Sequence, residues 1–312
     1  MTSTPAPRLS PCVRPRGRTR SVPLLFSLLA ATLLVPSLSD GEDVKSGTPP
    51  PGLRVFTCGH SFHVFVYKLL DKVAKSAGIE HQLAGVSSIG GSRVIQHWDV
   101  AEEKNLAKAA LTAGKVDVLT LSPIWLPDEG IDHFAELAVK HNPNVRVAVQ
   151  EFWLPNDEYV PVYPLQVRKG TDHNATDLAA LRKANDKYCE DMENYVRGIN
   201  QRLRTEALRV VPVGAAAQVL REKLAAGQAP GLKAQWDLFR DSWGHPQPAL
   251  QMLDVYCHFC VIYQRSPVGL PTPVELVKGL DKDSAEKLNR LLQEIAWETC
   301  THHPLTGLGE KK

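Results

Sequence analysis

Two short stretches, "VDVLTL" (116–121) and "VRVAVQ" (145–150), constrain this chain most. Each is a nearly continuous apolar run only six residues long. Strands of that kind are covered on both faces, as parallel strands inside an α/β sheet are. Three further strand-like runs lie at 53–58, 81–87 and 208–213. Helical patterns fall between them at 63–77, 99–113, 129–141 and 176–205. Strands alternating with helices predict a three-layer α/β/α sandwich with a mainly parallel five-stranded sheet, joined by right-handed crossovers.

The first 39 residues read differently from the rest. They hold five arginines and no acid, then an apolar run of about 14 residues from Val22 to Val35, then Ser37-Leu38-Ser39. A basic start, a short apolar core and small residues at the end predict a secretory signal peptide over 1–39. A membrane span needs about 20 apolar residues, so an uncleaved anchor is the second reading. The expected location is secreted or periplasmic, with any membrane contact through that anchor alone. Residues 40–52, with "GTPPP", predict a linker, and 53–312 a single α/β domain with a C-terminal helical extension.

Removing the leader leaves 31 of the 36 basic residues against all 34 acids, a formal charge of 31 − 34 = −3. The basic balance belongs to the leader, and a nucleic-acid partner gains no support from it. Five cysteines remain, Cys58, Cys189, Cys257, Cys260 and Cys300, an odd number that does not read as a disulfide framework.

In an open parallel sheet, ligands bind beyond the carboxyl ends of the strands. Those ends read "CGHSFH", "SSIGGSRVIQHW", "SPIWLPDEG" and "EFWLPND". A serine at a strand-to-helix turn is either a helix cap or a nucleophile. A nucleophile needs a general base held by a third group, and the late "RDSWGHP" supplies Asp241 and His245. The expected triad is Ser61, Asp241 and His245, with the N–H groups of Ser61 and Gly91 as oxyanion donors.

This arrangement resembles the SGNH/GDSL hydrolase superfamily. "GHSFH" is similar to its first block, "IGGS" to its second and "DSWGHP" to its last. The resemblance covers most of residues 53 to 262 and implies the flavodoxin-like fold and serine ester hydrolysis. Three positions depart from the pattern. His60 stands where the family has Asp, three residues rather than two separate Asp241 from His245, and "SPIWLPDE" replaces the third block with its oxyanion Asn. Gln150 and Asn156 are candidate substitutes for that Asn.

Four tryptophans, Trp98, Trp125, Trp153 and Trp243, fall on the expected functional edge, as does His60. They form either a substrate platform suited to a sugar ring or the top of the core. His60 and His63 are read as substrate, metal or structural groups. Cys257 and Cys260 are core residues or a local redox pair, because one CxxC lacks the second cluster of a zinc site. Cys300, His302 and His303 form a weak metal motif or a polar tail, and "HNAT" at Asn174 fits a glycosylation sequon.

The sequence therefore predicts a secreted serine esterase acting on a short acyl ester, on a small molecule or a polysaccharide. No metal or organic cofactor is required. A glycan-binding protein with a hydrolase-like fold and an acyltransferase are the alternatives, and a metalloenzyme built on His60 and His63 comes last.

Overall fold

The structure is a computed structural model and describes residues 49–160 and 170–309. The predicted leader and most of the predicted linker lie outside the described residues. Strands β1 (Arg54–Gly59), β2 (Gln82–Ser88), β3 (Val118–Leu121), β4 (Arg146–Glu151) and β5 (Leu208–Pro212) form one all-parallel sheet in the order β2-β1-β3-β4-β5. Every expected strand falls within two residues of its place. The chain is an α/β/α sandwich of the flavodoxin type.

The helices are α1 (Val66–Ser76), α2 (Val94–Trp98), α3 (Leu106–Thr112), α4 (Glu129–His141), α5 (Leu178–Leu203), α6 (Val213–Ala225), α7 (Pro248–Tyr263), α8 (Val274–Val277) and α9 (Lys282–His302). The β1–β2 crossover puts α1 on one face, where it packs on α7. From β2 the chain returns past β1 to β3, so α2 to α5 occupy the other face. The direction of winding thus reverses between β1 and β3. In open α/β sheets that reversal opens the crevice where ligands bind.

Two helices differ from the sequence expectation for identifiable reasons. The pattern at 63–77 begins its helix only at Val66, because the His60 carbonyl accepts the N–H groups of His63 (2.9 Å) and Val64 (2.8 Å). The segment between β1 and α1 is therefore a compact turn. The pattern at 99–113 breaks at Asn105, whose side chain accepts from Lys108 N (3.0 Å) and donates to His97 O (2.9 Å). One asparagine ties off α2 and caps α3.

Helix α7 is buried on nearly every side, between the sheet and α9. A helix apolar all round requires such cover, so the C-terminal extension is part of the core. Cys257, Cys260 and Cys300 lie buried at this contact, and all five described cysteines are free thiols. Core packing is the role the structure gives to "CHFC". No helix among the described residues is long and apolar enough to cross a membrane.

One buried carboxylate ties α2 to α4. Asp128 accepts from Val94 N (2.7 Å), Ile95 N (2.9 Å) and Gly130 N (3.1 Å). A Cβ on Gly130 would stand 2.2 Å from Ile95 N, a backbone atom that cannot step aside. Gly130→Ala should lower unfolding stability by about 2 kcal/mol or more, as overpacking against fixed atoms does. Urea denaturation checks this, and a loss under about 0.5 kcal/mol would show that the α2–α4 contact is loose.

Candidate active site

The turn after β1 places Ser61 at the reversal point of the sheet, partly exposed. Its hydroxyl caps no helix. It donates instead to His245 Nε2 at 2.8 Å, across 184 positions of sequence. His245 Nδ1 donates to Asp241 Oδ2 at 2.7 Å. That bond puts the ring proton on Nδ1 and leaves Nε2 to accept the serine proton, as a general base must. Asp241 Oδ1 accepts two more bonds, from Trp243 N (3.1 Å) and His245 N (3.2 Å). Partial burial opposes its ionisation, but the bonds from His245 and Trp243 hold its carboxyl below the usual range.

Three residues between Asp241 and His245 suffice because the loop doubles back on itself. Arg240 N donates to His245 O (2.9 Å) and Gly244 N to Asp241 O (3.1 Å), with Gly244 at φ +91°. Neighbouring segments hold the loop in place. Trp153 Nε1 donates to Gly244 O (2.8 Å), and Asn156 N donates to Trp243 O (3.1 Å). His173 Nε2 donates to Asp241 O (3.0 Å), while its Nδ1 faces Asp157 Oδ2 (2.9 Å). Asp157 in turn forms a buried ion pair with Arg221, at 2.5 and 3.0 Å. Burial opposes ionisation of Asp157, yet His173 and Arg221 hold it down at about 2.

The residues flanking Ser61 each have a distinct task. His60 is 1% exposed; its Nε2 donates to Ser122 O (3.1 Å) and its Nδ1 accepts from Phe62 N (3.3 Å). Burial pushes His60 down to about 3, so it is neutral and braces the turn against the end of β3. An aspartate there has no proton to offer the Ser122 carbonyl. The Phe62 ring stacks on His245 at 4.7 Å and packs on Trp153. His63 donates from Nδ1 to Gln150 Oε1 and accepts from Thr120 Oγ1 at 2.9 Å.

Most of the expected substrate contacts are therefore corrected. His60 and Trp153 are buried and committed to the turn and to the His245 loop. Trp125 is also buried. Trp98 stacks on His133 at 5.0 Å, with the Lys108 ammonium 4.1 Å from its ring. Trp243 is the one of the four that is half-buried beside His245 and, among the described residues, has no such commitments. Gln150 is fully buried, with its amide spent on His63 and Phe62 O, and so does not replace the missing Asn.

Gly91 lies in an exposed turn at φ +61°, and a Cβ there would meet nothing within 4 Å. Ile89 N donates to Gly59 O (3.2 Å), which brings this turn alongside the start of the Ser61 turn. Among the described residues no hydrogen bond engages the N–H of Ser61 or of Gly91. The loop is organised by His97, which sequence reasoning passed over. Its Nδ1 bonds Ser87 Oγ (2.7 Å) and its Nε2 bonds Ser92 Oγ (2.8 Å), spanning the two glycines. The equal spacing of Ser87, Ser92 and His97 was the available signal. His173, Asp157 and Arg221 gave none, since fold alone joins them.

Comparison with protein-family models, curated proteins and solved structures finds no match. The chemical reading therefore stands on geometry.

The His97 bridge has a pH signature. Burial lowers His97 to about 4, whereas an unfolded histidine titrates near 6.5. Between those values the unfolded chain binds the extra proton, so this stabilisation is full above about pH 6.5 and falls as pH drops toward 4. At pH 5, about 1.5 pH units below 6.5 at 1.36 kcal/mol each give about 2 kcal/mol. Between pH 7.5 and 5, His97→Asn should lose about 2 kcal/mol less than the wild type in urea unfolding. Equal losses would mean that His97 titrates normally and does not hold the loop.

Proposed function

We propose that this chain is a serine hydrolase that cleaves a short acyl ester. The observation that carries the reading is the unbroken hydrogen-bond chain from Ser61 Oγ through His245 to Asp241, at the reversal point of the sheet. A helix cap or a packed surface histidine does not require three such residues, from two distant segments, in the order and tautomer of a charge-stabilised base.

In this mechanism Ser61 Oγ attacks the acyl carbonyl carbon while its proton passes to His245 Nε2. Asp241 stabilises the imidazolium that results. Negative charge on the tetrahedral oxygen is met by the N–H groups of Ser61 and Gly91, both free of other partners among the described residues. His245 then returns the proton to the departing alkoxide, and the acyl group stays on Ser61. Water, deprotonated by His245, attacks the acyl-enzyme and releases the acid. With no Asn after β3, the oxyanion rests on backbone donors, and one lost donor slows such reactions about 100- to 1000-fold. A slow esterase is the expectation.

The alcohol side of the ester is proposed to be carbohydrate, with Trp243 as the stacking surface. The case for a purely glycan-binding protein weakens with the platform, since three of the four tryptophans are otherwise occupied.

Steady-state hydrolysis of p-nitrophenyl acetate and of acetylated xylo-oligosaccharides by the full chain tests the mechanism. Ser61→Ala and Asp241→Asn should each lower kcat about 1000-fold or more with little change in KM, because the interactions removed act in the transition state. Activity within tenfold of wild type in Ser61→Ala would rule the nucleophile out.

A further inference from the structure

Gln150 and Glu151 end β4 side by side and so face opposite sides of the sheet. Gln150 enters the polar cluster under Ser61, and Glu151 enters the layer that holds α5. Glu151 is fully buried, and among the described residues neither of its carboxylate oxygens has a hydrogen-bond partner. The Cys189 thiol lies beside it, a weak donor at best. Burial pushes the Glu151 carboxyl well above its usual range, and the nearby Glu193 raises it further.

Two other groups share this space. His303, at the C-terminal cap of α9, has its Nε2 3.2 Å from Glu193 Oε1 and 3.9 Å from Glu151 Oε1. The three ligand atoms lie within 4.8 Å of one another. His303 Nε2, like both Glu151 oxygens, is buried without a well-aligned hydrogen bond. Arg197 occupies the other oxygen of Glu193 at 2.6 Å and leaves Oε1 to face His303. Two buried atoms without a well-aligned hydrogen bond, Glu151 Oε1 and His303 Nε2, thus converge with Glu193 Oε1 on one point.

The geometry points to a divalent metal site, of the zinc class, formed by Glu151, Glu193 and His303. Two ligands bound at about 2.0–2.1 Å to a tetrahedral ion stand roughly 3.3 Å apart, close to the observed His303–Glu193 separation. The 3.9 Å pair needs a contraction of roughly half an ångström. A dication balances two carboxylates and removes the penalty of a buried, unpaired acid. Mixed carboxylate and imidazole donors favour a transition metal over Ca²⁺ or Mg²⁺. Leu305 N approaches His303 Nδ1 at 3.2 Å, a bond that assigns the ring proton to Nε2. Metal at Nε2 moves that proton to Nδ1, so the Leu305 contact must yield. Such an ion would bind the end of α9 to β4 and α5.

The test is calorimetric titration of the untagged, chelator-treated full chain with ZnCl2, with melting curves alongside. The site predicts one equivalent of Zn²⁺ and a Tm rise of about 5 °C or more at a hundredfold excess over Kd. Glu193→Gln and His303→Ala, both at partly exposed positions, should abolish binding and shift while keeping the wild-type circular dichroism spectrum. His302→Ala, one residue away, should retain both. Absence of stoichiometric binding in the wild type, or binding that survives His303→Ala, would overturn the site and leave a hydrogen-bonded cluster. Loss in His302→Ala would overturn it equally, by moving the ion to the exposed tail.

Discussion

The turn after β1 is the constraint on which the rest of the site depends. Chain direction must change there within a few residues, from a buried central strand to α1 on one face of the sheet. His60 fastens the turn to the end of β3, and His63 fastens it to Thr120 and Gln150 on β3 and β4. With both neighbours anchored in the core, Ser61 faces outward with its hydroxyl free to meet His245. Phe62 completes the arrangement by lying against the imidazole ring. The five residues of "GHSFH" thus form one mechanical unit in which four position the fifth.

Opposite this turn, the Asp241–His245 loop carries the two groups proposed to act as base and orienter on irregular backbone, which is mobile unless supported. Its support comes from carbonyls. Gly244 O is held by Trp153, Trp243 O by Asn156 N and Asp241 O by His173. Behind His173 stands the Asp157–Arg221 pair, both partners nearly inaccessible to water. A buried ion pair contributes little net stability on average, because desolvation offsets the attraction. Here its geometric effect is specific: it fixes the ring that fixes the backbone beside the base.

Much of the fold was legible because the physics that sets it is local. "VDVLTL" and "VRVAVQ" read as covered strands, and their alternation with helical patterns implied parallel pairing through right-handed crossovers, whereas the strand order appears only in the folded chain. The meeting of Ser61, His245 and Asp241 was legible too, since a serine at a strand exit and a late Asp–His pair are chemical signals in their own right. The rest of the site was not. A tryptophan near a strand end looks the same in sequence whether its indole stacks on a sugar or, like Trp153, donates inward to Gly244 O. His60 resembled a substrate ligand because nothing local reveals that its ring turns toward Ser122. The break at Asn105 depended on a bond back to His97 O, which periodicity does not register.

The central claim is that His245 activates Ser61 for attack on an acyl carbon. A fluorophosphonate probe with mass mapping of the adduct tests it whatever the natural substrate is. The account predicts a single adduct on Ser61 in the folded chain, formed much more slowly in His245→Ala and absent in Ser61→Ala. A well-folded chain that takes up no probe at Ser61, or labels at the same rate without His245, would contradict it.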